Sequence, residues 1–329
     1  MSIFESLSGV FSCMLMISLG YYLTMRGWFN KEVGQLFAKF AMTVTIPLYM
    51  VVSMMKSYTK TDLLQLGIAV TMPLFTMLVT YAIGVITSFV IHVPDYRRGT
   101  FRAMFFVANT AFIGFPVIIA LFGDKALPIA VMYYLVQSML FWTIGAYGLS
   151  LDGSKFACIE GSQNGNDIAT PRVLSFQTIK NIMSPPLIGA VVAILFILGS
   201  VKLPTFINGT FNYLGSMTTP LAMLFIGIAI YLANLRNVRI TRDMAVLIAA
   251  RFIISPAVVL AACYVIPVPE LMRKVFIIEA AMPVMTQVSI AARAYKADAN
   301  YVAVMTALTT VISLFTIPAY FILLTLGVL

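Results

Sequence analysis

Charge is what this sequence has least of. Charged side chains make up 10% of its 329 residues, where a soluble domain carries roughly 25%. Hydrophobic residues reach 61% and the mean hydropathy is +0.97, more apolar surface than one water-soluble core can hide. The chain reads as an all-α polytopic membrane protein. Its three cysteines, Cys13, Cys158 and Cys263, stand far apart, which excludes a disulfide framework and a metal-ligand spacing. The single histidine, His92, stands beside Pro94 at the end of an apolar run and reads as an interfacial ring. There is no Gly-x-Ser-x-Gly with a partner histidine, no aspartate pair and no Cys/His set, so neither an enzyme nor a cofactor nor a metal site is expected. A basic leader is missing too. The first apolar stretch, Leu7 to Met25, has no Ala-x-Ala-like cleavage site and reads as a first span rather than a signal peptide.

What is present is a repeat. Thr45-Ile46-Pro47-Leu48-Tyr49-Met50 returns as Thr218-Thr219-Pro220-Leu221-Ala222-Met223, and Ala130-Val131-Met132 returns as Ala303-Val304-Met305, both at an offset of 173 residues. A helix needs ~20 residues to cross the hydrocarbon core. Spans are expected near 7–25, 35–55, 65–91, 102–122, 127–150, 180–200, 212–234, 244–267, 272–295 and 300–327. Five spans per half is an odd number, so two such halves in sequence must be inverted relative to each other, an arrangement typical of secondary transporters. The halves are 1–150 and 176–329. The Gly/Ser/Asn/Asp-rich stretch between them, 151–175, is expected to be a flexible cytoplasmic linker.

Basic residues alternate by side. Arg26, Lys31, Lys39, Arg97, Arg98, Arg102, Lys155, Arg172, Lys180, Arg236, Arg239, Arg242, Arg293 and Lys296 fall on one side, against Lys56, Lys60, Lys125, Lys202, Arg273 and Lys274 on the other. The positive-inside rule places the richer side in the cytoplasm and both termini outside the cell (inner) membrane. The net charge of +9 is then an orientation signal that also suits anionic lipid heads, not a sign of nucleic acid.

Span four reads Val107-Ala-Asn-Thr-Ala-Phe-Ile-Gly-Phe-Pro116. Pro116 lacks a backbone donor and Gly114 adds freedom, so the helix is expected to break there, one to two turns beyond Asn109 and Thr110. Span nine offers a counterpart in Glu279-Ala-Ala-Met-Pro283-Val-Met-Thr286-Gln287. Broken backbone in lipid is tolerated only where protein or a wet cavity satisfies it, and two such places in two inverted halves suggest a substrate crossover.

These residues resemble the auxin efflux carrier family, which includes the plant PIN-FORMED carriers and bacterial malate and malonate permeases. The resemblance rests on Ala108-Asn-Thr-Ala-Phe-Ile-Gly-Phe-Pro-Val-Ile-Ile-Ala-Leu-Phe-Gly-Asp124, on Arg251-Phe252 with Pro256-Ala257-Val258, on Ala280-Ala-Met-Pro283 with Tyr295 and Asp298, and on Thr45-x-Pro47-Leu48. It implies ten transmembrane helices as two inverted five-helix repeats, with helices four and nine crossing where they break. It also implies an organic anion bound between a scaffold and a moving domain, and it allows a homodimer. Plant carriers have a second proline where Val288 stands here, and often a long central loop that this chain lacks. That favours the bacterial branch and small carboxylates over auxin.

The expected function is a permease for a small mono- or dicarboxylate such as malate or malonate. Half-helix N-termini would offer free N–H groups to a carboxylate, with Asn109, Thr110, Gly114, Pro116, Pro283, Thr286, Gln287 and Arg251 as candidate binding residues. Arg251 lies ~10 Å deep and could contact substrate, pair with Glu279, snorkel to the cytoplasm or serve structure by tying down cytoplasmic helix ends. Glu279, ~9 Å from the outer end, could couple transport to protons or face an outer vestibule; sodium is open as well. Pro47 and Pro220 are candidate hinges or packing kinks. A passive anion channel and a membrane sensor that binds without transport are the alternatives.

Overall fold

The computed structural model describes residues 3–60, 70–159, 183–232 and 238–328. Its helices are α1 (Ile3–Met25), α2 (Lys31–Ser57), α3 (Thr71–Val90), α4 (Arg98–Phe106), α5 (Thr110–Phe122), α6 (Asp124–Phe156), α7 (Pro185–Leu198), α8 (Thr205–Leu232), α9 (Arg242–Val265), α10 (Glu270–Ala280), α11 (Thr286–Ala294) and α12 (Ala299–Thr325). Among the described residues α2, α3, α6, α8, α9 and α12 are long and apolar enough to cross a membrane, while α5 and α7 are shorter apolar helices. No strand forms among them; one isolated antiparallel bridge joins Ala108 to Val284.

The helices pack in two groups. α1 lies along α8, and α2 packs on α7 and α8. The α1–α8 contact is backbone to backbone: a Cβ on Gly20 would stand 2.9 Å from Leu224 Cα, and one on Gly227 would overlap the Ile17 carbonyl. Small residues allow this approach where no hydrophobic effect drives helices together. The second group, α3–α6 with α9–α12, holds both broken helices. Within it α4 packs on α3 and α6, α10 on α6 and α9, and α11 on α12. Ion pairs join three helix N-termini at one end: Arg97, ahead of α4, binds Asp298, ahead of α12, at 2.6 Å, and Asp243 of α9 at 3.6 Å.

The repeat has a physical contact. Thr45 and Thr218, equivalent by the 173-residue offset, hydrogen-bond to each other through their hydroxyls at 2.8 Å, where α2 meets α8.

Two expectations need correcting. Residues 151–159 are helical, not linker. The buried Asp152 accepts hydrogen bonds from Gly99 N–H and Thr100 N–H at the start of α4, which fixes the end of α6. The rest of the expected linker, 160–175, lies outside the described residues, as do Arg172, Lys180 and Arg236. Second, Pro116 does not break its helix. It follows a five-residue π-turn, Thr110–Gly114, and α5 continues past it to Phe122. Pro47 follows Ala41–Thr45 and Pro256 follows Ala250–Ile254 in the same way. The wide turn shifts the hydrogen-bond register by one, so the missing proline N–H and its ring are absorbed without a break. Pro220 has no π-turn before it and sits at the third position of the segment that starts at Thr218, after a turn at Met217.

Candidate functional site

The interruption between α4 and α5 lies at Val107–Asn109, so Asn109 is in the break rather than before it. No proline stands there. The side-chain amide of Gln137, on α6, inserts instead. Its Oε1 accepts from Ala108 N–H at 2.8 Å and its Nε2 donates to Ala108 C=O at 2.7 Å, replacing the partners a helix would supply. The same Nε2 lies 3.1 Å from the Thr110 hydroxyl. The interruption between α10 and α11 runs over Ala281–Met285 and contains Pro283. The Thr309 hydroxyl accepts from Val284 N–H at 3.1 Å. The two unwound segments then satisfy each other: Asn109 N–H donates to Pro283 C=O at 2.8 Å, and Asn109 Nδ2 donates to the Thr286 hydroxyl at 2.8 Å. The N-termini of α5 and α11 start at this crossing, with backbone N–H groups that have no intrahelical partner.

A cavity of about 340 Å³ reaches the crossing. Asn109, Thr286, Ser289, Thr306 and Thr310 supply its polar wall, and Lys31 and Arg293, both exposed, also line it. No carboxylate lines it among the described residues. Towards the opposite end it stops at Ile113 and Ile226, which also bound an apolar cleft with Cys13, Val117, Met223 and Ile317. At that far end α2 is tied to the α5–α6 turn. Tyr49 OH binds the Asp124 carboxylate, Ser53 Oγ donates to Asp124 C=O at 2.9 Å, Tyr58 OH donates to Lys125 C=O at 2.8 Å, and Lys56 pairs with Asp124 at 3.6 Å.

The structure brings some of the expected residues together and separates others. Asn109 and Thr286 line the cavity, with Pro283 at the crossing beside them. Thr110 is buried against Gln137. Gly114 and Pro116 are buried within α5. Gln287 is half-buried, off the cavity wall, and its Oε1 has no partner among the described residues. Pro47 and Pro220 are outside the cavity wall, in the group of α1, α2, α7 and α8.

Arg251 and Glu279 also stand off the cavity wall. Arg251 is 1% exposed, and each of its N–H donors has a partner: Met282 C=O at 3.2 Å (Nε) and 3.0 Å (Nη2), Ala280 C=O at 2.9 Å, Phe105 C=O at 3.2 Å and Ser255 Oγ at 3.4 Å. These bonds hold Arg251 inside the protein rather than at its cytoplasmic surface, and no ion pair with Glu279 forms among the described residues. Glu279 is fully buried, and among the described residues neither carboxyl oxygen has a hydrogen-bond partner. It packs on the Cα of Gly114, where any Cβ would overlap it.

Sequence reasoning missed Gln137, Thr309 and the cavity pair Lys31 and Arg293. Gln137 left one signal, a full amide inside an otherwise apolar stretch. Lys31 and Arg293 were counted only as orientation charges.

A profile of the membrane transport protein family matches residues 5–321. The chain is similar to an uncharacterised transporter of Methanocaldococcus jannaschii, 23% identical over 93% of this chain and 95% of the relative. It is also similar to an uncharacterised transporter of Methanothermobacter thermautotrophicus, 25% identical over 94% and 96%. Auxin efflux carrier component 8 of Arabidopsis thaliana is 23% identical over 66% and 68%. With nearly the whole chain matched and apolar helices throughout, this is a multi-pass membrane transport protein, and it belongs to the auxin efflux carrier family.

Proposed function

We propose that this protein is a secondary carrier that moves a small organic anion across the cell membrane by alternating access. In this reading the helices form ten spans, with α4–α5 and α10–α11 each counted as one broken span, arranged as two inverted five-helix repeats. The Thr45–Thr218 contact supports that arrangement, because equivalent residues touch only near the axis that relates them.

The observation that carries the reading is the cavity. Its size suits a small ligand, it ends at two half-helix N-termini, and it has hydroxyl, amide and cationic groups with no carboxylate among the described residues. Such a lining attracts an anion and repels a cation. A mono- or dicarboxylate such as malate or malonate fits that chemistry. By the distribution of basic residues the Lys31/Arg293 end faces the cytoplasm and both termini lie outside. The cavity is then inward-facing, and the Tyr49–Asp124 contacts close the outer side.

Glu279 is the proposed proton-coupling residue. A charge there would be dry and unpartnered, whereas a neutral carboxyl costs far less. Its contact with Gly114 would pass a change of protonation to α5. Lipids surround the protein, and a homodimer is compatible with this arrangement.

The test is uptake of a radiolabelled carboxylate panel into proteoliposomes, with and without an imposed pH gradient. Saturable uptake is expected in the parent, lost in Asn109→Ala, and stripped of its pH-driven part alone in Glu279→Gln. Normal uptake in a folded Asn109→Ala protein would remove the site from the crossover. Unitary currents in planar bilayers would instead identify a passive anion channel, and binding without flux a sensor.

A further inference from the structure

The ends of α4 and α10 pose an electrostatic problem that their own sequences do not solve. Both helices stop inside the protein, and the last carbonyls of a helix carry its partial negative charge. In carriers built on broken helices, such C-terminal carbonyls and the unwound carbonyls beside them are the groups that coordinate a coupling cation. Here three of them, Phe105 C=O from α4, Ala280 C=O from α10 and Met282 C=O from the unwound segment, surround one planar group, each 2.9–3.2 Å from one of its nitrogens. That group is the guanidinium of Arg251, carried on α9, which packs against α10. Ser255, one turn further along α9, supplies a fourth oxygen at 3.4 Å.

Among the described residues no carboxylate bonds to Arg251. Arg251 forms no ion pair among the described residues, so its charge is met by carbonyl dipoles and the Ser255 hydroxyl. A buried guanidinium ringed by neutral oxygens is comparable to a bound monovalent cation in its carbonyl shell, with the cation tethered to the chain.

We infer that Arg251 is a resident cation that fills a monovalent cation site built from the crossover carbonyls, so that no free ion needs to occupy it. This rests on reading the crossover as the moving part of a carrier. It adds that the two half-helix ends stay joined by a charge that never leaves, and that removing the side chain opens a site for a small free cation.

Chemical rescue tests this. Arg251→Gly is expected to unfold at a lower temperature in detergent. Millimolar guanidinium should raise that temperature, and equal urea, neutral and nearly the same shape, should not. Wild-type protein should respond to neither, and should be equally stable in sodium chloride and in choline chloride of equal ionic strength. Equal responses of Arg251→Gly to guanidinium and urea, or none to either, would overturn the inference. So would a specific stabilisation of the wild type by sodium. If Arg251→Gly does not fold, Arg251→Lys and Arg251→Met decide. Lysine keeps the charge and should give the higher unfolding temperature, whereas Met at or above Lys would show that no cation is needed. None of these readouts requires substrate. Failed uptake together with successful rescue would sink the carrier reading and leave the cation site standing.

Discussion

Val107–Asn109 and Ala281–Met285 both interrupt an apolar helix, yet the groups that complete their backbones differ in kind. At the first, a neutral amide from a neighbouring helix, Gln137, takes both the N–H and the C=O of Ala108. At the second, Pro283 removes a donor covalently, Thr309 accepts the next N–H, and a guanidinium collects the carbonyls. The first break is imposed from outside by a side chain; the second is written into the backbone and then repaired. Buried peptide groups must be satisfied in either case, and the full charge serves mainly the second break, with one further bond to Phe105 C=O at the end of α4.

Removing the charge should therefore have the larger effect. Arg251→Leu leaves Phe105, Ala280 and Met282 carbonyls without this donor. At about 1–3 kcal/mol for each unsatisfied buried group, the loss should be on the order of several kcal/mol, and little folded protein should survive detergent extraction. Gln137→Leu orphans only Ala108 N–H, because Ala108 C=O also accepts from Thr110 N–H at 2.9 Å, and should be milder, about 1–3 kcal/mol by the same reasoning. Thermal unfolding of both variants ranks the two breaks. If Gln137→Leu is the worse, the first break is not the cheaper one and the contrast between amide and cation fails.

Gln137→Glu sharpens the comparison. A carboxylate still accepts from Ala108 N–H but cannot donate to Ala108 C=O, and it brings an uncompensated charge into a dry site. It should be at least as damaging as Gln137→Leu, whereas Arg251→Lys should recover part of what Arg251→Leu loses. A neutral-to-charged change harms one break while a charged-to-charged change spares the other. Thr309→Val should cost less than any of these. It removes one acceptor, from Val284 N–H, and such interhelical bonds in membrane proteins average about 0.6 kcal/mol and reach about 1.7.

These differences explain what could be read from the sequence. Apolar helices and the 173-residue recurrence were legible because hydropathy and residue identity are local, and two residues at that offset, Thr45 and Thr218, hydrogen-bond to each other. Pro283 was legible because a proline acts on its own backbone. Pro116 misled for the same reason: the π-turn before it depends on how the whole helix packs, and it cancels the break that proline chemistry predicts. Gln137 stands 29 residues from Ala108, and nothing in its neighbours marks what its amide touches. Arg251 was visible as a buried charge, but its partners are carbonyls, which every residue has and no sequence distinguishes. Lys31 and Arg293 came from opposite halves of the chain, so only the fold could bring them to one cavity.

Asn109 is where the two breaks meet, and its substitution separates stability from function. It belongs to the first break, binds Pro283 of the second through its backbone, and reaches Thr286 through its side chain. Asn109→Ala keeps the backbone bond and loses the side-chain one, so the stability change should be the smallest of the series, within about 1 kcal/mol. Asn109 also lines the cavity, and there the same amide is one of few donors that could face an anion. Asn109→Asp places a carboxylate on a wall that has none, while its oxygen can still accept a bond from the Thr286 hydroxyl. Under the proposed function both variants should unfold close to the wild-type temperature and bind substrate poorly, Asp worse than Ala because like charges repel in a low-dielectric site. Substrate-induced thermal stabilisation, read beside the uptake assay, measures this directly. If Asp binds an organic anion as well as Asn does, the cavity is not the anion's route, and the crossing of the two breaks would be a packing joint alone.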